Sequence, residues 1–261
     1  MTQHIASRYP ARSGEQGFTL VELAIVLIII GLLIGGILKG QELIANAQIK
    51  SVVSQIKGFD AAVTTFRDSY GALPGDMLTP GNRLPNCGAA PCNTAALGGT
   101  LGNNRIETAG ALGAAPVATD EGYIMWSQLV AADILSGIQA TAAAVAFGTG
   151  GLPSTSIGGG AWAGYNNGTA AVTGLTAGAA MRTGQYFVLN GTPLAVGAAT
   201  GGLEPLQAQR IDRTLDDGLP LTGTVLTGGA GGTCTATIGG TVDYNNAPGA
   251  NPCALFIRFQ G

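Results

Sequence analysis

Residues 18–38 read FTLVELAIVLIIIGLLIGGIL, 21 positions that carry a single charge, Glu22. As a helix rising about 1.5 Å per residue, this stretch spans roughly 30 Å, the thickness of a bilayer core. Arg8 and Arg12 precede it, and basic flanks stay on the cytoplasmic side of a membrane helix. The rest of the chain is then expected across the inner membrane, where disulfides form. An ordinary secretory signal fits poorly, because its apolar region runs about 7–15 residues and ends at a small-residue cleavage site. Here the run is longer and passes directly into an amphipathic pattern.

A plain uncleaved anchor accounts for the length but not for Glu22. A carboxylate near a bilayer centre costs on the order of 2.5–3.5 kcal/mol, less towards an end, and a passive anchor gains nothing by carrying it. Residues 17–22 read G-F-T-L-V-E, with Gly17 just before the apolar run and Glu22 five positions after it. This combination resembles the class III signal of type IV prepilins and the related pseudopilins. The resemblance implies that residues 1–17 are a leader, that a prepilin peptidase cuts after Gly17, and that Phe18 becomes an N-methylated first residue. It also implies that Glu22 of one subunit meets the N-terminal ammonium of a neighbour in a filament. A buried charge is tolerable when paired. The chain departs from the family at Lys39, where many major pilins carry a helix-kinking Pro. Gly35, Gly36 and Gly40 surround it, and each weakens a helix by up to about 1 kcal/mol relative to Ala.

The helical pattern continues beyond the membrane. Ile49, Val52, Ile56, Phe59, Val63, Phe66 and Tyr70 recur at steps of three and four, opposite Lys50, Ser54, Lys57, Thr64 and Asp68. That is one apolar stripe, ended by Gly71 and the Pro74-Gly75 turn. The spacing also suits a coiled coil, but three aromatic residues fit a narrow seam less well than the underside of a sheet. The expectation is an α+β protein: a helix over 18–70, transmembrane over 18–38 and amphipathic over 39–70, packed on an antiparallel head at 71–261, as in pilins.

Within 71–261, Asp120 is placed to cap a helix through Tyr123, Trp126, Leu129, Val130 and Ile134. A second helix is expected over 204–215. Strands are expected at Gln185–Leu189, Gly223–Leu226, Thr233–Ile238 and Ala254–Phe259. The stretches 88–119, 140–180, 190–203 and 226–233 are rich in Ala, Gly and Thr, and read as surface loops or small-residue strands rather than core.

Four cysteines, Cys87, Cys92, Cys234 and Cys253, form no C-x-x-C pair, and in an exported chain an even number reads as two disulfides. Three connectivities are open; proximity in sequence favours Cys87–Cys92 and Cys234–Cys253. The second pair would bound a C-terminal loop like that of many pilins.

The net charge is −3, and −4 without residues 1–17, since Arg8, Arg12 and Glu15 leave with them. No basic surplus attracts nucleic acid. His4 is the one histidine and lies in the expected leader, so a cysteine nucleophile lacks its usual base; catalysis is not expected, and no cofactor is implied. Asp212, Asp216 and Asp217 cluster before Gly218. Carboxylates in a turn hold calcium in some pseudopilins, but the EF-hand spacing is absent, and a solvated helix end stopped by Gly218 is the better account. Trp126 and Trp162 suit either a contact surface or a core.

The functional expectation is a structural subunit of a type IV pilus-like filament, serving adhesion, motility or DNA uptake. Its partners would be copies of itself or other pilins, the prepilin peptidase and, before assembly, inner-membrane lipid. The alternatives are a pseudopilin of a type II secretion system and a membrane-anchored binding protein that never polymerises.

Overall fold

A computed structural model describes residues 17–94, 100–139, 144–197, 202–229, 234–245 and 253–260. The expected leader, apart from Gly17, and Thr233 of one expected strand lie outside them. Two compact units emerge, one ending at Asn46 and one running from Ala47 to Gly261. Helix α1, Leu20–Tyr70, contributes to both.

In the first unit every residue from Gly17 to Lys39 is exposed. The helix there is long and apolar enough to cross a membrane, with a mean hydropathy of 2.9 over its most apolar window. Helical structure runs through Gly35, Gly36, Lys39 and Gly40 without a break.

The second unit is an α+β head. From Ile49 onward α1 buries Ile49, Val52, Val53, Ile56, Phe59, Ala62, Val63 and Phe66, which is the stripe legible in the sequence. Phe59 meets Trp126 edge-on at 4.8 Å and Phe187 at 6.0 Å. The stripe's partner is therefore the head of the same chain, the helix that carries Trp126 and the sheet that carries Phe187, rather than a coiled-coil helix of a second subunit. A short helix α2, Pro80–Arg83, follows, then α3, Glu121–Ala131, and α4, Pro205–Leu215. Ile134, expected on α3, lies beyond its end.

Among the described residues, six strands complete the unit: β1 (Gly160–Asn166), β2 (Gly184–Asn190), β3 (Val225–Gly229), β4 (Thr235–Ile238), β5 (Thr241–Tyr244) and β6 (Cys253–Phe259). Four form an antiparallel sheet in the order β1-β2-β6-β3, and β4 pairs with β5 as a separate hairpin. Gly239 and Gly240 turn that hairpin, both at positive φ, where a side chain would be strained. The C-terminal strand sits inside the sheet, with Phe187 opposite Ile257 on β2 and Leu226 opposite Phe256 on β3. It is buried on both faces, Arg258 excepted.

The sequence reading placed 140–180 outside the core, and β1 corrects it. Ala161, Trp162 and Ala163 are buried, and at Gly160 and Gly164 the neighbours approach too closely for a larger residue. A methyl group added at Gly164 would lie 2.8 Å from Leu112 Cδ1. Both tryptophans are core residues. The sequence reading did not anticipate β5.

Candidate functional site

The candidate site begins at the helix start. Thr19 precedes the first helical residue, Leu20, and Glu22 stands three positions after Thr19. The backbone N–H and the hydroxyl of Thr19 both donate to Glu22 Oε2 at 2.9 Å, and the Glu22 N–H donates back to Thr19 Oγ1 at 3.3 Å. This is the reciprocal pattern of a capping box, in which side chains at both ends of the first turn satisfy orphan backbone donors. T-x-x-E is a sequence signature, and the reading that singled out Glu22 for its charge passed over Thr19.

Phe18 and the apolar residues that follow are exposed, Phe18 to 88 % and Leu20 to 86 %. From Thr19 to Leu38, Glu22 is the sole ionisable side chain on this apolar helix. A surface of this kind calls for lipid or for other apolar helices. Lys39 pairs with Glu42 at 2.8 Å on the exposed face, a geometry of little energetic weight.

The cysteines join as Cys87–Cys92 and Cys234–Cys253. The second bond ties the start of the β4–β5 hairpin to the first residue of β6, so it links the hairpin to the main sheet.

The carboxylates of Asp212, Asp216 and Asp217 lie within 4.8 Å of one another. The helix does end here, with Gly218 at positive φ, but Asp212 is fully buried, which corrects the reading of a solvated helix end. Asp212 accepts from the Gly218 N–H at 3.3 Å and the Tyr244 hydroxyl at 2.7 Å. Asp216 accepts from the Thr224 and Val225 amides, and Asp217 from the Leu219 amide and the Thr222 hydroxyl. These bonds account for all three as parts of the fold. Burial, with the neighbouring charges of Asp217 and Asp216 behind it, pushes Asp212 up to about 7.

A second acidic group was not legible. Asp120 stands at the start of α3 without capping it; its oxygens instead accept from the Ala109 and Val117 amides at 2.7 and 2.9 Å. Glu121 is fully buried, accepts from the Glu107 N–H at 2.6 Å, and among the described residues keeps Oε1 without a partner. Burial first, then the charges of Asp76, Glu107 and Asp120, push it up to about 8. The Asp76 carboxylate receives the backbone N–H groups of Gly102, Asn103 and Asn104, a nest of amides around an anion.

Residues 12–38 match the family model described as the prokaryotic N-terminal methylation motif. The match takes in Gly17, Phe18, Thr19 and Glu22, and supports a protein of the type IV pilin-like prepilin kind. It covers 27 of the 261 residues. No curated protein and no solved structure matches the chain.

Proposed function

We propose that the chain is a structural subunit of a type IV pilus-like filament and not an enzyme. A prepilin peptidase cuts after Gly17 and methylates the new amino group of Phe18. The helix over 18–38 then holds the subunit in the inner membrane, with the head in the periplasm, until it joins copies of itself or other pilins. The observation that carries this reading is the methylation motif matched over residues 12–38, set beside a lone carboxylate on an exposed apolar helix.

Glu22 has two tasks in this account. Oε2 caps its own helix through Thr19, while Oε1 makes no hydrogen bond among the described residues. That second oxygen is available to a neighbour's N-terminal ammonium, and a charge pair away from water is strong when its geometry is complete.

Lys39 favours a second reading within the same class. A helix without a proline at this point, unbroken through Gly35, Gly36 and Gly40, departs from many major pilins and suits a minor pilin or a type II secretion pseudopilin. Mass spectrometry of the N-terminal peptide tests the common core. The expected product begins at Phe18 with one added methyl group. A chain that still begins at Met1 rejects processing and leaves a non-polymerising anchored protein.

A further inference from the structure

The head contains a half-open cleft of about 200 Å³ between the 107–112 segment and the end of β1 with the loop after it. Its walls are fixed by the fold. Asp76 and Asp120 hold the backbone on either side of Glu107, as described above. Glu107 Oε2 accepts from the Thr100 N–H and from Asn103 Nδ2, both at 3.1 Å. On the opposite wall Asn166 donates to the Arg182 carbonyl and accepts from the Gly168 N–H. Asn167 Oδ1 accepts from the Thr169 and Ala170 amides. A site whose side chains are already held loses little freedom on binding.

Three polar groups on lining residues are left over. Glu107 Oε1, Asn167 Nδ2 and the Tyr165 hydroxyl make no hydrogen bond among the described residues, although their residues line the cleft. They supply an acceptor, a donor and a group that does both. Leu112, Val172 and the Tyr165 ring add apolar surface.

Charge and size narrow the ligand. The Arg105 guanidinium lies over the Tyr165 ring at 4.9 Å, so this cation is engaged. Glu107, on the wall of the cleft, disfavours a phosphate or carboxylate. The volume falls below the roughly 300 Å³ at which sites for drug-sized ligands begin. Vicinal hydroxyl groups, each able to donate and accept, on a small ring with apolar C–H faces match this set.

We propose that the cleft is a binding subsite for one neutral sugar ring, as at the end of a glycan. The proposal rests on the head alone and is independent of the filament reading. The test is saturation-transfer NMR on the full chain in phosphocholine micelles. The probes are millimolar methyl glycosides of galactose, glucose and mannose, and N-acetylglucosamine.

Glu107→Gln keeps one oxygen for Thr100 and Asn103 but replaces the free acceptor with a donor. Asn167→Asp keeps the turn acceptor but removes the free donor. The expected result is saturation on the ring protons of at least one glycoside, reduced several-fold in each variant that keeps the parent Tm. Absence of transfer to every probe overturns the proposal. So does transfer that persists undiminished in a variant with the parent Tm, or binding of tetramethylammonium in place of the sugars.

Discussion

The hydroxyl of Tyr244, on β5, donates to Asp212 Oδ2, on α4, at 2.7 Å, and both side chains are fully buried. Thr227 of β3 donates to the same hydroxyl at 3.0 Å. This chain of bonds joins the small hairpin, the last helix and the edge of the main sheet. Burial also pushes the Tyr244 hydroxyl well above its ordinary value, so it remains a donor at any working pH.

Among the described residues, Tyr244→Phe leaves Asp212 with one partner, the Gly218 amide. Removing a partner from a buried polar group costs about 1–3 kcal/mol. The loss in Tm is expected to be larger above the Asp212 value of about 7 than below it, because the ionised carboxylate needs the donor more. Thermal unfolding of wild type and variant on both sides of that pH checks this. An equal loss at both would show that the hydroxyl does not serve the charge.

Gly122 of α3 lies directly against the backbone of β1. A methyl group there would lie 1.8 Å from the Ala163 carbonyl oxygen, and a backbone atom in a sheet cannot turn aside. Gly122→Ala is expected to destabilise the head by about 3 kcal/mol or more, at the upper end of overpacking effects. Gly58→Ala is the control, since nothing lies within 4 Å of the added atom and Ala favours helix. Denaturant melts of the two variants separate the cases; a Gly122→Ala midpoint matching wild type contradicts the packing described.

The buried carboxylates set a direction for pH. Glu121, at about 8 in the fold against an ordinary 4.5, and Asp212, at about 7 against 3.8, hold protons the unfolded chain has already released. Asp76 and Asp120 shift the same way, with burial the first cause. Stability contributed by such groups is whole below the ordinary carboxylate range and is lost as pH rises through the folded values. The Tm should therefore fall between about pH 4.5 and about pH 8. Glu121→Gln, uncharged throughout, should flatten the upper part of that slope. A Tm that rises over this range refutes the assignment.

Glu22→Ala is an ambiguous test of filament entry, because it removes the cap on Thr19 together with the charge. Glu22→Gln separates the two, since glutamine serves at this position of a capping box. Under the proposed function, Glu22→Gln inserts into the membrane but enters filaments at a small fraction of the wild-type level. Immunoblots of sheared filaments against the membrane fraction read this ratio. Wild-type entry by Glu22→Gln would remove charge pairing from the account.

Much of this molecule was legible wherever the signal is local. The stripe from Ile49 to Phe66 declares a helix because residues three and four apart share a face. Leu255, Ile257 and Phe259 alternate as a strand must. β1 gave no such signal: its Gly160 and Gly164 are small to suit Phe147 and Leu112, residues outside the strand. Asp120 looked like a helix cap because its position is right, but the 109 and 117 amides took its oxygens.

What the chain declares by itself is its N-terminal segment. The apolar run, the lone Glu22 and the Gly17-Phe18 junction depend on neighbours a few positions away, and the cost of a carboxylate in a bilayer needs no fold to be stated. The tertiary structure decided what depends on distance across the chain. It chose the cysteine pairing, placed β6 between β2 and β3, and buried Glu121 and Asp212 while leaving Asp217 outside. Burial and strand order are properties of the packed whole, since each is set by which surfaces meet, and no window of sequence contains both sides of such a contact.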